Sequence, residues 1–391
     1  MKKKSGQLLI ATFFILCVTG LSPFVLMAEE VSIHGFISQG YLKSDKNNYL
    51  ADTDEGTFQF NEMGINFTTY ATRRLKIGCQ LFARDLGEVG NDKIVMNWAF
   101  AEYNFRNWLG LRAGLIKAPF AFYNDTRDYD SLRTSILLPT SVYNEYFRDG
   151  NNSLKGVEFY GAPSIGALGM LKYQVLTGQT QISTDSGTAQ LVKLSNLDVT
   201  GLGNINVGDI YGAHFEWLPP LDGLRLGATY VKLDYQWDAL FNGSIPIRFD
   251  SKSSQWYLLS IEYMWNDLTV AAENYMYLRD AALYVIADGM PKFADIDIDS
   301  KDSFYIRLSY RFTDWLETGY YYSKYIYDPD KEGDSNELYD QCLSFRFDIN
   351  PNWLCKLEAH LMNGEYAVAP DDDGHTYSEW MLFGAKMTYV F

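Results

Sequence analysis

Downstream of Val31 apolar and polar residues alternate with a period of two, and the breaks between the alternating runs are sorted by length. Seven breaks are tight, at 71–73, 106–108, 163–166, 219–222, 266–267, 313–314 and 350–352. Eight longer, polar breaks lie between them, at 44–56, 86–92, 118–152, 178–208, 237–252, 280–300, 328–337 and 364–375. Long and short strictly alternate. This order predicts an all-β chain of sixteen strands with every long connection at one end, a transmembrane antiparallel β-barrel with short periplasmic turns and long external loops. A soluble sandwich also alternates along each strand, but it has no reason to sort its loops by length onto two ends.

The period is clearest at the C-terminus. Met381, Phe383, Ala385, Met387, Tyr389 and Phe391 share one parity; Leu382, Gly384, Lys386, Thr388 and Val390 share the other. Phe304, Ile306, Leu308, Tyr310 and Phe312 repeat the pattern against Tyr305, Arg307, Ser309 and Arg311. The runs hold about 9–14 residues, enough for a tilted strand to cross a bilayer. Past the N-terminal segment no apolar window is long enough for a spanning helix, which excludes a helical membrane protein. Five tryptophans, Trp108, Trp217, Trp265, Trp315 and Trp353, flank the tight turns, where an interfacial girdle needs amphipathic rings. Alternation lapses near Val231 in the strand expected over 224–235, which predicts a bulge there. Almost no helix is expected outside the N-terminal signal and the third long loop.

Lys2, Lys3 and Lys4 precede an apolar run over 8–21, and small Ala28 precedes Glu29 and Glu30. That is a secretory signal over residues 1–28, leaving a barrel domain over 29–391. Cys17 follows bulky Leu16 and lies inside the apolar run, so a lipoprotein anchor is rejected. The remaining cysteines, Cys79, Cys342 and Cys355, are odd in number, so at least one is a free thiol, and none is given a role. Only a couple of residues separate the expected cleavage site from the first strand, too few for the plug of a TonB-dependent transporter. The chain carries 49 acidic against 33 basic residues, for a net charge of −16. That balance argues against nucleic acid as a partner. Loops one, six, seven and eight hold most of the excess acid, including Asp52, Asp54, Asp371, Asp372 and Asp373. They form a solvated rim, with divalent bridging to lipopolysaccharide as the sharper reading.

If the apolar parity faces lipid, the other lines a wet lumen. That parity supplies Lys76, Arg84, Arg112, Lys172, Arg225, Arg307, Arg346, Lys356 and Lys386, with Glu62, Glu102, Glu158, Glu216, Glu262, Glu273 and Glu358. These charges pair across strands or set up a transverse field that orients polar solutes. The third loop adds Asp125, Arg127, Asp128, Asp130, Arg133, Glu145, Arg148 and Asp149 as candidates for a pore constriction. An enzyme of this architecture would need a nucleophile or an activated water beside a base. His34, His214 and His360 fall on separate strands as lumenal hydrogen-bonding groups, and His375 follows an Asp-rich loop. No phosphate-binding Gly-rich loop, CxxC or HExxH is present, so no catalytic residue, cofactor or metal site is expected.

The terminal run Lys386, Met387, Thr388, Tyr389, Val390, Phe391 resembles the C-terminal strand of bacterial outer-membrane proteins. That resemblance implies that Tyr389 and Phe391 form a signal for the barrel-assembly machinery. In length, strand count and loop order the chain resembles the sixteen-stranded porins. Lys117, Ala118, Pro119, Phe120, Tyr123, Asn124, Asp125, Thr126, Arg127 and Asp128, then Leu138, Pro139, Tyr143 and the run from Gly156 to Gly161, resemble the superfamily that includes phosphate-selective porins. The dense basic ladders of the phosphate-selective members are diluted by acids here, so phosphate specificity does not carry over. The resemblance implies an inward-folded third loop, a homotrimer in the outer membrane of a Gram-negative cell, and passive diffusion of small hydrophilic solutes and ions. The alternatives are a substrate-selective channel and a non-conducting, adhesin-like surface barrel.

Overall fold

The computed structural model describes residues 30–391 except 88, 195–198, 288 and 332. The expected signal over 1–28 lies outside them. Sixteen long strands follow one another as antiparallel neighbours: β1 (Ser32–Ser44), β2 (Phe60–Thr72), β3 (Leu75–Leu86), β4 (Val95–Arg106), β5 (Leu109–Lys117), β6 (Ser153–Gly161), β7 (Met170–Ile182), β8 (Ile205–Leu218), β9 (Leu224–Phe241), β10 (Ile245–Trp265), β11 (Leu268–Val285), β12 (Ile298–Thr313), β13 (Leu316–Ile326), β14 (Glu337–Asp348), β15 (Trp353–Asn363) and β16 (Glu379–Val390). The sheet closes on itself. β1 pairs with β16 from Phe36↔Val390 to Ser44↔Leu382, so neither edge is left open. Two short strands, Val199–Thr200 and Lys292–Asp295, pair with the outer ends of β9 and β11.

The pleat sends alternate residues to opposite sides of the wall, and the sides differ as the sequence pattern requires. Ile261, Ile306, Leu308, Phe312, Leu343, Leu357, Phe383 and Met387 stand exposed on the outside as an apolar band. On the same strands Glu262, Tyr305, Leu382 and Lys386 are buried inside. Trp108, Trp217, Trp265, Trp315 and Trp353 are all exposed at the short-turn rim, whereas Trp98, Trp237 and Trp380 are buried. The girdle tryptophans and the interior ones were therefore separable from turn position alone.

Three expectations are corrected. The fifth long connection, 237–252, is mostly strand: β9 and β10 run on to a tight turn at Asn242, Gly243 and Ser244. Asn242 and Gly243 both have positive φ, 47° and 66°, the conformation that an Asn-Gly pair adopts readily. Trp237 stacks on Phe249 with centroids 5.0 Å apart, which holds this extended hairpin together above the wall. The register shift lies opposite Asp234 rather than at Val231, and the extra residue is on β10, where Lys252 and Ser253 oppose Asp234 between the pairs Leu233↔Ser254 and Tyr235↔Ser251. A helix over Gly187–Leu194 occupies the fourth long connection, where no helix was expected. Its first residues bond to loop three, Gly187 N–H to Asp149 Oδ2 at 2.9 Å and Thr188 Oγ1 to the Tyr146 carbonyl at 3.1 Å.

Candidate functional site: the enclosed face and loop three

Loop three, residues 118–152, bonds to the buried side of the wall over most of its length. Its first part crosses to β11, where Glu273 accepts from the Phe122 N–H at 3.0 Å, Tyr143 Oη at 2.5 Å, Tyr305 Oη at 2.7 Å and Ser260 Oγ at 2.5 Å. Four donors satisfy a buried carboxylate that has no cationic partner in this set. Phe120, Leu138, Val142 and Tyr143 pack there on Leu258 and Tyr305. Tyr123 donates to Glu262 and accepts from Arg307 Nη2 at 2.8 Å.

The middle of the loop is captured by three wall cations on β14, β15 and β16. Arg346 Nη1 donates to the Ser131 carbonyl at 2.6 Å. Lys356 Nζ donates to Asp130 Oδ1 at 2.9 Å and to the carbonyls of Asp130 and Ser135 at 2.6 and 3.1 Å. Lys386 Nζ lies 3.9 Å from Asp130 Oδ1 and binds Glu62 at 2.6 Å. Glu358 on β15 accepts from the N–H groups of Ile136 at 2.7 Å and Leu137 at 3.2 Å. Ile136, Leu137 and Tyr146 complete an apolar cluster with Leu42, Phe60, Leu338, Met362 and Leu382.

The end of the loop returns to β2–β5. Arg148 binds Glu62, Asp128 at 3.0 Å and Glu145 at 3.4 Å, while Arg84 binds Glu145 at 3.1 Å and Asp149 at 2.8 Å. Arg127 pairs with Glu145 at 2.7 Å, Arg133 with Asp130 at 3.5 Å, and Lys117 with Asp128 at 2.6 Å. Burial alone would push these loop carboxyls up. Surrounding cations outweigh it: Lys117 and Arg148 hold Asp128 well below the usual carboxylate range, and Lys356, Lys386 and Arg133 do the same to Asp130. Arg127, Arg148 and Arg84 hold Glu145 down at about 2.

Most candidate constriction charges are thus buried and paired. Asp125 differs: it is exposed. The wall beside it also differs from the half beneath the loop. From β4 to β10 the inward charges alternate in sign from strand to strand and pair sideways: Arg112 with Glu102 at 2.7 Å and Glu158 at 3.2 Å, Lys172 with Glu216 at 2.7 Å, and Arg225 with Glu262 at 2.7 Å. Lys172 is 49% exposed and Arg225 22%, whereas Lys356 under the loop is fully buried. Water therefore reaches Lys172 and Arg225 on the enclosed face but not Lys356, Lys386 or Glu358 beneath the loop, while Arg311 on β12, toward the short-turn end, is 32% exposed. Lys76 faces inward on β3, with no ion-pair partner among the described residues. Toward the long-loop end the same sector turns apolar, with Ile116, Leu154, Leu176, Ile210, Val231 and Leu233 buried together.

Sequence reasoning placed every wall residue on the inward side, but it did not separate those under the loop from those along the wet sector. It passed over Glu273 and Glu358 as individual sites, and their role as acceptors for loop N–H and hydroxyl groups carries no local signature. His214 on β8 bonds through Nδ1 to Thr229 Oγ1 at 2.7 Å.

The arrangement defines a closed, sixteen-stranded porin-type barrel with an occupied interior. Solved structures agree. OmpF of Salmonella typhi, in a structure with daunomycin, aligns over 93% of this chain and 100% of its own, with a TM-score of 0.59 and 12% identity. The outer-membrane channel DcaP of Acinetobacter baumannii aligns over 93% and 97%, with a TM-score of 0.55 and 11% identity. An anion-selective porin from Comamonas acidovorans aligns over 93% and 99%, with a TM-score of 0.51 and 12% identity. These likenesses show the fold. No protein-family profile matches the chain. No curated protein matches it either.

Proposed function

We propose that the protein is a bacterial outer-membrane porin, secreted with residues 1–28 as its signal, that lets small hydrophilic solutes and ions diffuse passively through a narrow path beside loop three. The observation that carries this reading is the uneven wetting of the enclosed face. Lys172, Arg225 and Asp125 meet solvent, while Lys356, Lys386, Glu273 and Glu358 are sealed beneath the loop. A channel needs such a charged, hydrated sector, since an ion leaving water for an apolar passage loses most of its hydration energy. The pairing of the wall charges makes the field nearly balanced, so Asp125 and Lys76 are the groups left to bias the current. The histidine–hydroxyl pair of that sector, His214 with Thr229, is buried from water, which supports a channel over an enzyme. The outer apolar band and the terminal Phe391 fit residence in lipid after delivery by the barrel-assembly machinery. A homotrimer in a lipopolysaccharide-bearing leaflet is the assembly proposed.

Purified barrel in planar bilayers should give discrete, ohmic current steps. Folded protein that inserts without conducting would defeat the reading in favour of an adhesin-like barrel. The apolar cluster around Leu176, Ile210 and Val231 at the mouth favours one second reading, a substrate-selective channel. Conductance that saturates with one class of amphiphilic solute would distinguish it from free diffusion.

A further inference from the structure

Beneath the Ile136–Leu137 stretch of loop three, β14 and β15 bring together Cys342, Glu358 and His360, with Asp340 beside them. The register pairs Cys342 with His360 directly across the two strands, and Glu358 lies two residues along on the same face. Cys342 is fully buried, and His360, Asp340 and Glu358 are at most 4% exposed. Cys342 Sγ lies 4.0 Å from Glu358 Oε2, and one ligand atom from each of Cys342, Glu358 and His360 falls within 4.8 Å of the others. The other cysteines do not compete for Cys342. Cys79 and Cys355 sit on the opposite, outward parity of their strands, so Cys342 is the one inward thiol among the described residues.

The histidine makes the cluster more than a coincidence of residue types. Asp340 Oδ1 is 2.9 Å from His360 Nδ1, and Tyr321 Oη donates to Asp340 Oδ2 at 2.8 Å. A carboxylate in that place fixes the ring with the Nδ1 proton directed at it, which leaves the Nε2 lone pair bare in the neutral ring. Nε2 makes no hydrogen bond although it is buried, yet Glu358 Oε1 stands 3.1 Å away, too poorly aligned to accept one. Two electron-pair donors at that separation repel unless a positive centre lies between them. The thiol faces the same gap. An aspartate behind a histidine whose far nitrogen points at a carboxylate and a thiol is the outer-shell pattern that orients metal-ligating imidazoles.

We propose that Cys342, Glu358 and His360 bind a borderline-soft divalent metal ion of the zinc class, with Asp340 as the group that orients the histidine. The mixed sulfur, nitrogen and oxygen set selects against calcium and magnesium, which take oxygen ligands. Binding turns the thiol into a thiolate and leaves Nε2 unprotonated. If the empty cluster holds a proton on Nε2, one M²⁺ enters as two H⁺ leave, from Sγ and Nε2, and the buried net charge is unchanged. The ion would also hold the carboxylate that receives the Ile136 and Leu137 N–H groups, tying loop three to the wall at this point. The proposal does not depend on conduction.

The test uses the full barrel, refolded in detergent with Zn(II) or Co(II) and washed with a weak chelator. The expected result is about one Zn(II) retained per chain and a thiolate-to-Co(II) charge-transfer band in the cobalt form. C342S should lose both, and D340N should weaken binding ~10–100-fold. Amide exchange at Ile136 and Leu137 should slow with metal in the wild type alone. Equal retention by wild type and C342S, or a cobalt spectrum without the thiolate band, overturns the proposal and leaves a proton between His360 and Glu358. Heat-modified mobility on gels checks that each variant is folded. If C342S does not fold, X-ray absorption at the zinc edge of the wild type decides: a sulfur neighbour near ~2.3 Å supports the site, and a shell of only nitrogen and oxygen overturns it.

Discussion

Lys356 on β15 and Asp130 in the middle of loop three meet at 2.9 Å with both side chains sealed from water, 0% and 2% exposed. The lysine ammonium also takes two loop carbonyls, and the aspartate takes Thr388 Oγ1 at 2.9 Å on β16. Wall and loop are thereby fastened by a pair in which neither charge has another way to be hydrated. Replacing Asp130 leaves the buried Lys356 with backbone carbonyls alone. D130N should lower stability by ~3–5 kcal/mol, read as an earlier unfolding midpoint in urea. It should also add fast current fluctuations as the loop loosens. An unchanged midpoint would show that Lys356 does not rely on this carboxylate.

Acid should release the loop late. The folded-state values of Asp128, Asp130 and Glu145 are depressed, so each contributes stability that is fully present above the unfolded carboxyl value of ~4 and is lost as pH falls through the folded value. For Glu145 that window runs from ~4.3 down to about 2. Amide protection of loop three should therefore stay level from pH 7 to 5 and fall only below ~4. A step between pH 5 and 7 would mean that other groups hold the loop.

Strand number, inward parity and the tryptophan girdle were legible because each follows from a period of two and from where turns break it. Phe383 and Lys386 sit on opposite sides of the wall by counting alone. The fifth loop was misread because polar Asp238, Asn242, Ser244 and Asp250 suggested an irregular stretch, while the Asn242-Gly243 pair was a hairpin signal passed over. The helix at Gly187–Leu194 owes its place to contacts with Tyr146 and Asp149, which lie some forty residues away and leave no local mark. The charges of loop three could be enumerated but not sorted. Whether Asp125 or Asp128 meets water depends on which strand each reaches across the interior, and sequence separation says nothing of that.

The C-terminal residue closes the barrel through its backbone and its ring. Phe391 N–H donates to the Gly35 carbonyl at 3.0 Å, and Gly35 N–H donates to the Phe391 carbonyl at 2.9 Å. A Cβ at position 35 would come within 2.4 Å of the Phe391 ring. Deleting Phe391 removes both hydrogen bonds and, on the function proposed above, the assembly signal. It should cut the amount of barrel in the outer membrane several-fold and leave single-channel conductance of the survivors unchanged. G35V should show the same defect, because the ring can turn aside but the Gly64 carbonyl oxygen, 2.7 Å from a Cβ at position 35, cannot. Normal abundance with altered conductance would reverse the assignment from assembly to transport.

Asp125 is the loop charge on which ion selectivity should turn. It is exposed where Asp128 and Asp130 are buried, and it stands in the sector of Arg112, Glu158 and His214, whose electrostatics it influences. The neighbouring wall charges cancel in pairs, so removing one unpaired negative charge changes the local sign. In a narrow passage a unit charge a few ångströms from the ion path is worth on the order of 1 kcal/mol or more, because less water screens it than at the open rim. D125N should shift the reversal potential in a salt gradient toward anions without moving the urea midpoint. D125K should shift it further in the same direction. D128N should do the opposite, costing stability while leaving selectivity nearly unchanged, because its charge is already met by Lys117 and Arg148. If D128N moves the reversal potential as much as D125N does, the open path runs beneath the loop rather than along β4–β9.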